Sequence, residues 1–318
     1  MMLKKIAVLG AGTMGHGIAE SFAIHGYEVN LFDNDATRLA IAKEEIEAEL
    51  ELLALEKFIE PGVVQSILNR ITLVTDLKQC VIDRDYVIEA TFEEIGLKQE
   101  LFKTLDELCP PHTILASNTS TLQLSEMTKY VSVERKEKVI VNHWYNPAHL
   151  MPIVELSYFG NMPDSTYGQI EKLYESIDKT TVKVLKDIPG LIANRIAQAI
   201  AREVFSLIEM GAAAPEDIDK ALQAGPAFRY ATTGHLEIAD LGGLDIWYTS
   251  VNNILKDIES TTEPSKLLKE KVNEGKLGIK TGEGFYKYEA EEVLLTKERF
   301  NKRLINQLKA MKKMAEIR

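Results

Sequence analysis

The sequence predicts an α/β fold, a doubly wound sheet followed by an all-α C-terminal portion, on three observations. Up to about Leu185, short β-type apolar runs alternate with stretches of helical periodicity. A glycine-rich turn, Gly10-Ala-Gly12-Thr13-Met14-Gly15, sits directly after the first of these runs. From Leu191 onward the periodicity is helical.

The first run, Ile6 to Leu9, leads into the glycine turn. Ile18, Ala19, Phe22 and Ala23 then recur at helical spacing, with Gly26 as the stop, and Glu28 to Phe32 forms a second strand closed by Asp33. A long helix follows, with Leu39, Ala42, Ile46, Leu50 and Leu53 on one face and Glu44, Glu45, Glu47, Glu49, Glu51 and Glu56 crowding the other. Further strands are expected at Ile71 to Val74, Tyr86 to Ala90, Thr113 to Ala116 and Val139 to Val141, and Ile153 to Ser157 and Thr181 to Leu185 extend the sheet. Asp187-Ile-Pro-Gly190 breaks this pattern. Beyond it, Ile196, Ile200, Val204, Leu207 and Ile208 form a broad apolar stripe closed by Gly211. Ala214-Pro-Glu-Asp217 opens a second helix, and a third helical region runs from Asp245 to Ile258. The expected organisation is a nucleotide-binding domain at 1–187, a helical domain at 188–290 and an amphipathic, basic C-terminal helix at 291–318.

Strand, glycine turn, helix, second strand and acidic residue together make a Rossmann-like dinucleotide fingerprint. Gly10 permits the tight turn, Gly12 lets backbone N–H groups approach a pyrophosphate at the helix N-terminus, and Gly15 lets helix and strand pack closely. Thr13 and Met14 complete the loop. Asp33 can accept hydrogen bonds from both ribose hydroxyls and repels a 2′-phosphate, and neither Asn34 nor Asp35 supplies an arginine. The expected cofactor is therefore NAD, not NADP.

A length of 318 residues favours two domains, and 45% hydrophobic with 27% charged residues is an ordinary globular composition. A formal charge of -11 argues against a nucleic-acid partner. With no apolar run of membrane-spanning length and no charged-then-apolar leader, a cytoplasmic protein without a membrane partner is expected. Cys80 and Cys109 lie far apart with no second Cys or clustered His at ligand spacing, so they read as reduced core thiols, with neither a disulfide nor a metal site expected.

Hydride chemistry on an alcohol requires a group that takes the hydroxyl proton. Of six histidines, only His143 is expected directly after a core strand at its C-terminal end, where ligands bind in this architecture. Glu155 sits twelve residues later within the β-type run Ile153-Val-Glu-Leu156, where an inward-facing carboxylate needs a partner. Paired, the carboxylate would fix the imidazole tautomer and raise its basicity.

Ser117-Asn-Thr-Ser120, His143-Trp-Tyr-Asn146-Pro, Pro152-Ile-Val-Glu155, Pro189-Gly-Leu-Ile-Ala-Asn194-Arg and the late Gly278-Ile-Lys-Thr-Gly-Glu-Gly-Phe-Tyr286 closely resemble segments of the L-3-hydroxyacyl-CoA dehydrogenase family. The resemblance runs in order from about Leu3 to Tyr288. It implies that His143 is the general base, Glu155 its orienting partner, and Ser120 and Asn194 the groups that hydrogen-bond the substrate oxygen. It further implies that Asn118 lies against the nicotinamide, that Asn146 supports the catalytic pair, and that Glu93 and Lys98 contact the cofactor. The active site would then lie in a cleft between the domains, and the helical domain would form a homodimer.

Acyl-CoA enzymes of this family are expected to hold the nucleotide with Ser and Lys on the helix after Asp33, whereas this chain carries Glu47-Ala-Glu-Leu-Glu there. The loop Gly225-Pro-Ala-Phe-Arg229-Tyr230 is similar to that of relatives acting on small free 3-hydroxy acids, the L-gulonate and carnitine 3-dehydrogenases, and Arg229 could bind a substrate carboxylate bidentately. The leading expectation is an L-3-hydroxyacyl-CoA substrate. The alternatives are a free 3-hydroxy acid and a non-catalytic NAD(H)-binding sensor or structural protein.

Overall fold

The computed structural model describes residues 3–315. Eight strands form one sheet: β1 (Lys5–Leu9), β2 (Glu28–Phe32), β3 (Ile71–Val74), β4 (Tyr86–Glu89), β5 (Ile114–Ser117), β6 (Val139–Trp144), β7 (Ile153–Ser157) and β8 (Thr180–Val184). Their order is β3-β2-β1-β4-β5-β6-β7-β8. All neighbours are parallel except β6 and β7, which pair antiparallel. The near-continuous apolar runs of the sequence follow from this arrangement, because a parallel sheet is covered on both faces. Alternate residues divide between two cores. Ile6, Val8, Tyr86, Ile88, Ile114 and Ile140 point into one, while Ala7, Leu9, Val87, Leu115, Val139 and Val141 point into the other.

The order in which successive strands are laid down reverses between β1 and β4, the switch point at which doubly wound folds bind ligands beyond the carboxyl ends of the strands. The glycine turn leaves β1 there and enters α1 (Gly15–Ile24). Helix α2 (Ala36–Leu55) begins with the Asp35 carboxylate accepting the Thr37 N–H at 2.8 Å, and it buries Leu39, Ala42, Ile46, Leu50 and Leu53, the face its periodicity predicts.

The sequence pattern ends a strand at Val141 with His143 just beyond it, but β6 runs on to Trp144 and includes His143. Pairing with β7 supplies the hydrogen bonds that keep Asn142, His143 and Trp144 extended.

The chain divides into two compact units, one reaching Ile192 and including Leu304–Leu308, the other comprising Ala193–Arg303 and the residues from Lys309 onward. The second unit is helical, with helices at Ala193–Glu209, Pro215–Ala224, Pro226–Tyr230, His235–Gly242, Leu244–Ile254 and Lys266–Asn273. It holds an open apolar hollow of about 1190 Å³ lined by Ile196, Ile200, Val204, Leu207, Ile218 and Tyr230. No residue of the helix Ala193–Glu209 is fully buried, although that helix is strongly amphipathic. Among the described residues, no helix is long and apolar enough to cross a membrane.

The terminal helix spans Val293–Ala315, and the last three residues of the expected segment, like the first two of the chain, lie outside the described residues. Ile305 is completely buried in the core of the first unit, and Leu304 and Leu308 pack against it. Ile305→Ala should therefore lower unfolding free energy by about 2–4 kcal/mol in urea titration. Leu294→Ala, at an 80% exposed position of the same helix, should change it by less than about 0.5 kcal/mol.

Candidate active site

At the end of β1, a Cβ on residue 15 would lie 1.7 Å from the Gly10 carbonyl oxygen, so the turn closes only with glycine there. Gly12 is different, since a Cβ at that position meets no atom within 4 Å. The fold does not demand glycine at position 12, and the space it leaves suits a ligand approaching the backbone at the start of α1. Thr13 is exposed and Met14 half-buried beside it. Asp33, at the end of β2, is anchored to the same turn: Oδ2 accepts the Ala11 N–H at 2.9 Å and Oδ1 the Asp35 N–H at 3.0 Å. Arg38 donates from Nε to the Ala11 carbonyl at 2.7 Å and also pairs with Glu45, so its guanidinium is engaged by protein groups. These residues fit an NAD molecule with its pyrophosphate over the turn and its ribose at Asp33.

The strands next to β1 end in a connected polar rim. Glu89, fully buried at the end of β4, accepts from Lys98 Nζ at 2.7 and 2.9 Å, from Thr91 and from Ser117. Lys98 is itself buried and lies 3.5 Å from Glu93 Oε2. Glu93 Oε1 in turn accepts from the Thr119 hydroxyl at 2.5 Å, from the N–H groups of Ser120 and Thr121 at 3.1 Å each, and from the Thr121 hydroxyl at 2.9 Å. These bonds hold the Glu93 carboxyl below the usual carboxylate range against the upward push of its partial burial. The half-buried Ser120 is thereby fixed at its backbone. Asn118 uses Oδ1 to accept the Trp144 N–H at 2.9 Å, which ties the end of β5 to the end of β6.

On that last strand His143 lies directly opposite Glu155 of β7. Its Nδ1 is 2.8 Å from Glu155 Oε2, and the other carboxylate oxygen accepts the Ile192 N–H at 2.8 Å. Glu155 is completely buried and the His143 side chain is 7% exposed. A buried carboxylate is an acceptor that fixes the proton on Nδ1, leaving the lone pair on Nε2. Tyr145 packs its ring edge-on to the imidazole at a centroid distance of 5.1 Å. Burial, reinforced by the Glu155 charge, pushes its phenol up to about 12.

Asn146 follows β6, and its peptide bond to Pro147 is cis. Asn194 is half-buried at the second position of the helix Ala193–Glu209, and Arg229 is exposed in Pro226–Tyr230, both in the second unit. Cys80 and Cys109 are free, buried thiols, each pushed up to about 12 by burial.

Sequence reasoning missed Glu89, Tyr145 and the Ile192 N–H. An acidic residue closing the apolar run Tyr86-Val-Ile-Glu89 was a readable signal for the first, because a carboxylate at a buried strand end needs a cation. The Ile192 N–H left no side-chain signal at all.

Residues 5–188 match the family model for the 3-hydroxyacyl-CoA dehydrogenase NAD-binding domain, and residues 190–288 match the model for the C-terminal domain of the same family. The chain belongs to the 3-hydroxyacyl-CoA dehydrogenase family. It binds NAD and is an oxidoreductase acting on CH–OH groups, which sets aside the non-catalytic alternative. A probable 3-hydroxybutyryl-CoA dehydrogenase of Bacillus subtilis is 35% identical over 290 residues, covering 91% of this chain and 99% of the relative. The 5-formyl-3-hydroxy-2-methylpyridine 4-carboxylate 5-dehydrogenase of Mesorhizobium japonicum is 32% identical, covering 92% and 93%. A crystal structure of an enzyme with that activity, described as an NAD+-dependent dismutase, superposes with a TM-score of 0.89 at 28% identity. It covers 98% of this chain and 99% of the other, so the terminal helix of this dehydrogenase falls within the aligned portion.

Because the protein leaves the space beside Gly12 open, Gly12→Ala should leave the melting temperature nearly unchanged while weakening NADH binding by about tenfold or more, measured by fluorescence titration.

Proposed function

We propose that this chain interconverts an L-3-hydroxyacyl-CoA and the corresponding 3-ketoacyl-CoA, with His143 as the general base and Glu155 as its positioning residue. The observation that carries the reading is the 2.8 Å bond between His143 Nδ1 and a buried carboxylate held from its other side by the Ile192 N–H. NAD, when bound, supplies the acceptor for the hydride that leaves the substrate carbon. His143 Nε2 takes the hydroxyl proton at the same step, and Glu155 stabilises the resulting imidazolium. In the reverse direction the imidazolium returns that proton to the oxygen.

Ser120 and Asn194 hydrogen-bond the substrate oxygen, and Asn146 supports the catalytic pair. Asn118, its Oδ1 already engaged by the Trp144 N–H, offers its amide N–H groups to the nicotinamide side. Glu93 presents a 38% exposed carboxylate to the cofactor, while the buried Lys98 acts through Glu93 and Glu89. The incompletely buried apolar stripe of the amphipathic helix Ala193–Glu209 and the hollow beside it support a homodimer formed through the helical unit.

A second reading, oxidation of a small free hydroxy acid, is favoured by two observations. Glu44, Glu47 and Glu51 stand exposed on α2 and would oppose a polyphosphate, and Arg229 is exposed and carries the planar guanidinium that suits a carboxylate. The Mesorhizobium japonicum relative is by name a dehydrogenase of a pyridine carboxylate, not of a thioester.

His143→Gln should retain NADH affinity and lose about 10²- to 10⁴-fold in kcat, the range for general-base work. Turnover within a few fold of the parent enzyme would remove His143 from the mechanism. Initial rates of NADH consumption with acetoacetyl-CoA and with free 3-keto acids decide the substrate. A higher kcat/KM for the thioester is expected. Preference for the free acids, abolished in Arg229→Ala, would establish the second reading instead.

A further inference from the structure

Apart from the His143–Glu155 pair, the first unit contains another buried group of ionisable side chains that the hydride chemistry does not use. Glu20 on α1 is completely buried, and neither of its carboxylate oxygens has a hydrogen-bond partner. Glu49 reaches the same point from α2. Its Oε1 is 3.4 Å from His16 Nε2, whereas Oε2 is buried and unpartnered. His149, in the connection between β6 and β7, has a side chain only 3% exposed, with an unpartnered Nδ1 lying 3.6 Å from Glu20 Oε2 and 3.6 Å from Glu49 Oε2. One ligand atom from each of the three residues falls within 4.8 Å of the others.

Two carboxylates converging in a dry interior require positive charge between them, either a proton or a cation. The neighbouring Lys179, whose charge acts on Glu20, donates from Nζ to the Ala148 carbonyl at 2.7 Å and the Met151 carbonyl at 2.8 Å and makes no hydrogen bond to either Glu20 oxygen. The 3.6 Å separations are long for hydrogen bonds. They approach the edge of about 3.3 Å expected for nitrogen and oxygen ligands arranged tetrahedrally around Zn²⁺. His16 braces the far oxygen of Glu49, as outer partners of ligating carboxylates do.

We propose that Glu20, Glu49 and His149 form a three-ligand site for a divalent transition metal, Zn²⁺ foremost, that cross-links α1, α2 and the β6–β7 connection. An imidazole beside two carboxylates suits Zn²⁺ better than Mg²⁺ or Ca²⁺, which prefer oxygen throughout. The site is structural in consequence. It fastens the helix that follows the glycine turn to the connection between the two strands carrying His143 and Glu155. Its ligands are far apart in the sequence, which is why no metal-ligand spacing was visible there.

The test is Zn²⁺ itself, added to the full chain and followed by metal analysis after dialysis and by thermal denaturation. One Zn²⁺ retained per chain, with a rise in melting temperature reversed by chelator, is expected. Glu20→Gln and His149→Gln should each weaken binding by about 100-fold or more, and His16→Ala by about 10- to 100-fold. His112→Ala, an exposed histidine away from the cluster, should bind as the parent does. Co²⁺ loaded into the unmodified chain should give the ligand-field absorption of a four-coordinate site, a readout that needs no variant to fold. Failure of the parent chain to retain Zn²⁺, with Glu20→Gln at least as stable as the parent, would mean the carboxylates share a proton and would overturn the proposal. Undiminished binding in both ligand variants would overturn it as adventitious.

Discussion

The structure of the site depends on how one buried carboxylate is satisfied. Glu155 sits where an unpaired charge would cost several kcal/mol, and its two oxygens are answered from opposite directions by an imidazole and a backbone N–H. The Ile192 N–H fixes the rotation of the carboxylate, and the carboxylate then fixes the ring and its tautomer. Antiparallel pairing of β6 with β7 is the prerequisite, because it sets His143 and Glu155 opposite each other in an otherwise parallel sheet.

A second chain of polar contacts keeps the neighbouring strand ends in place. Lys98 neutralises Glu89 inside the core and lies close to Glu93, whose other oxygen gathers the backbone of the segment carrying Ser120. Asn118 then joins that segment to the strand of His143. Rigid secondary structure and a satisfied hydrogen-bond network thus position side chains that stand at the carboxyl ends of three neighbouring strands, β4, β5 and β6. The glycine turn meets the same edge of the sheet because β1 lies at the switch point.

Most of the fold was readable because both faces of the sheet are covered. Each strand became a short apolar run, and all eight appear within a residue or two of their expected ends apart from β6. That strand was underestimated because Asn142 and His143 are polar, and only the partner strand explains why they remain extended and buried. The terminal helix showed its amphipathic pattern, but nothing in that pattern said that Ile305 would be completely enclosed while Leu294 stayed in solvent.

The sequence alone determined the sheet, the dinucleotide turn, the acidic residue after β2 and the pairing of His143 with Glu155, since each of these rests on local spacing or on a short hairpin-like separation. Tertiary structure decided what lies far apart along the chain: the Ile192 N–H that reaches Glu155, the Thr119 hydroxyl that donates to Glu93 within the rim, and the convergence of Glu20, Glu49 and His149. Periodicity reports which face of an element is buried, whereas the identity of the group across the core is set by how separate elements pack, and no local pattern encodes that.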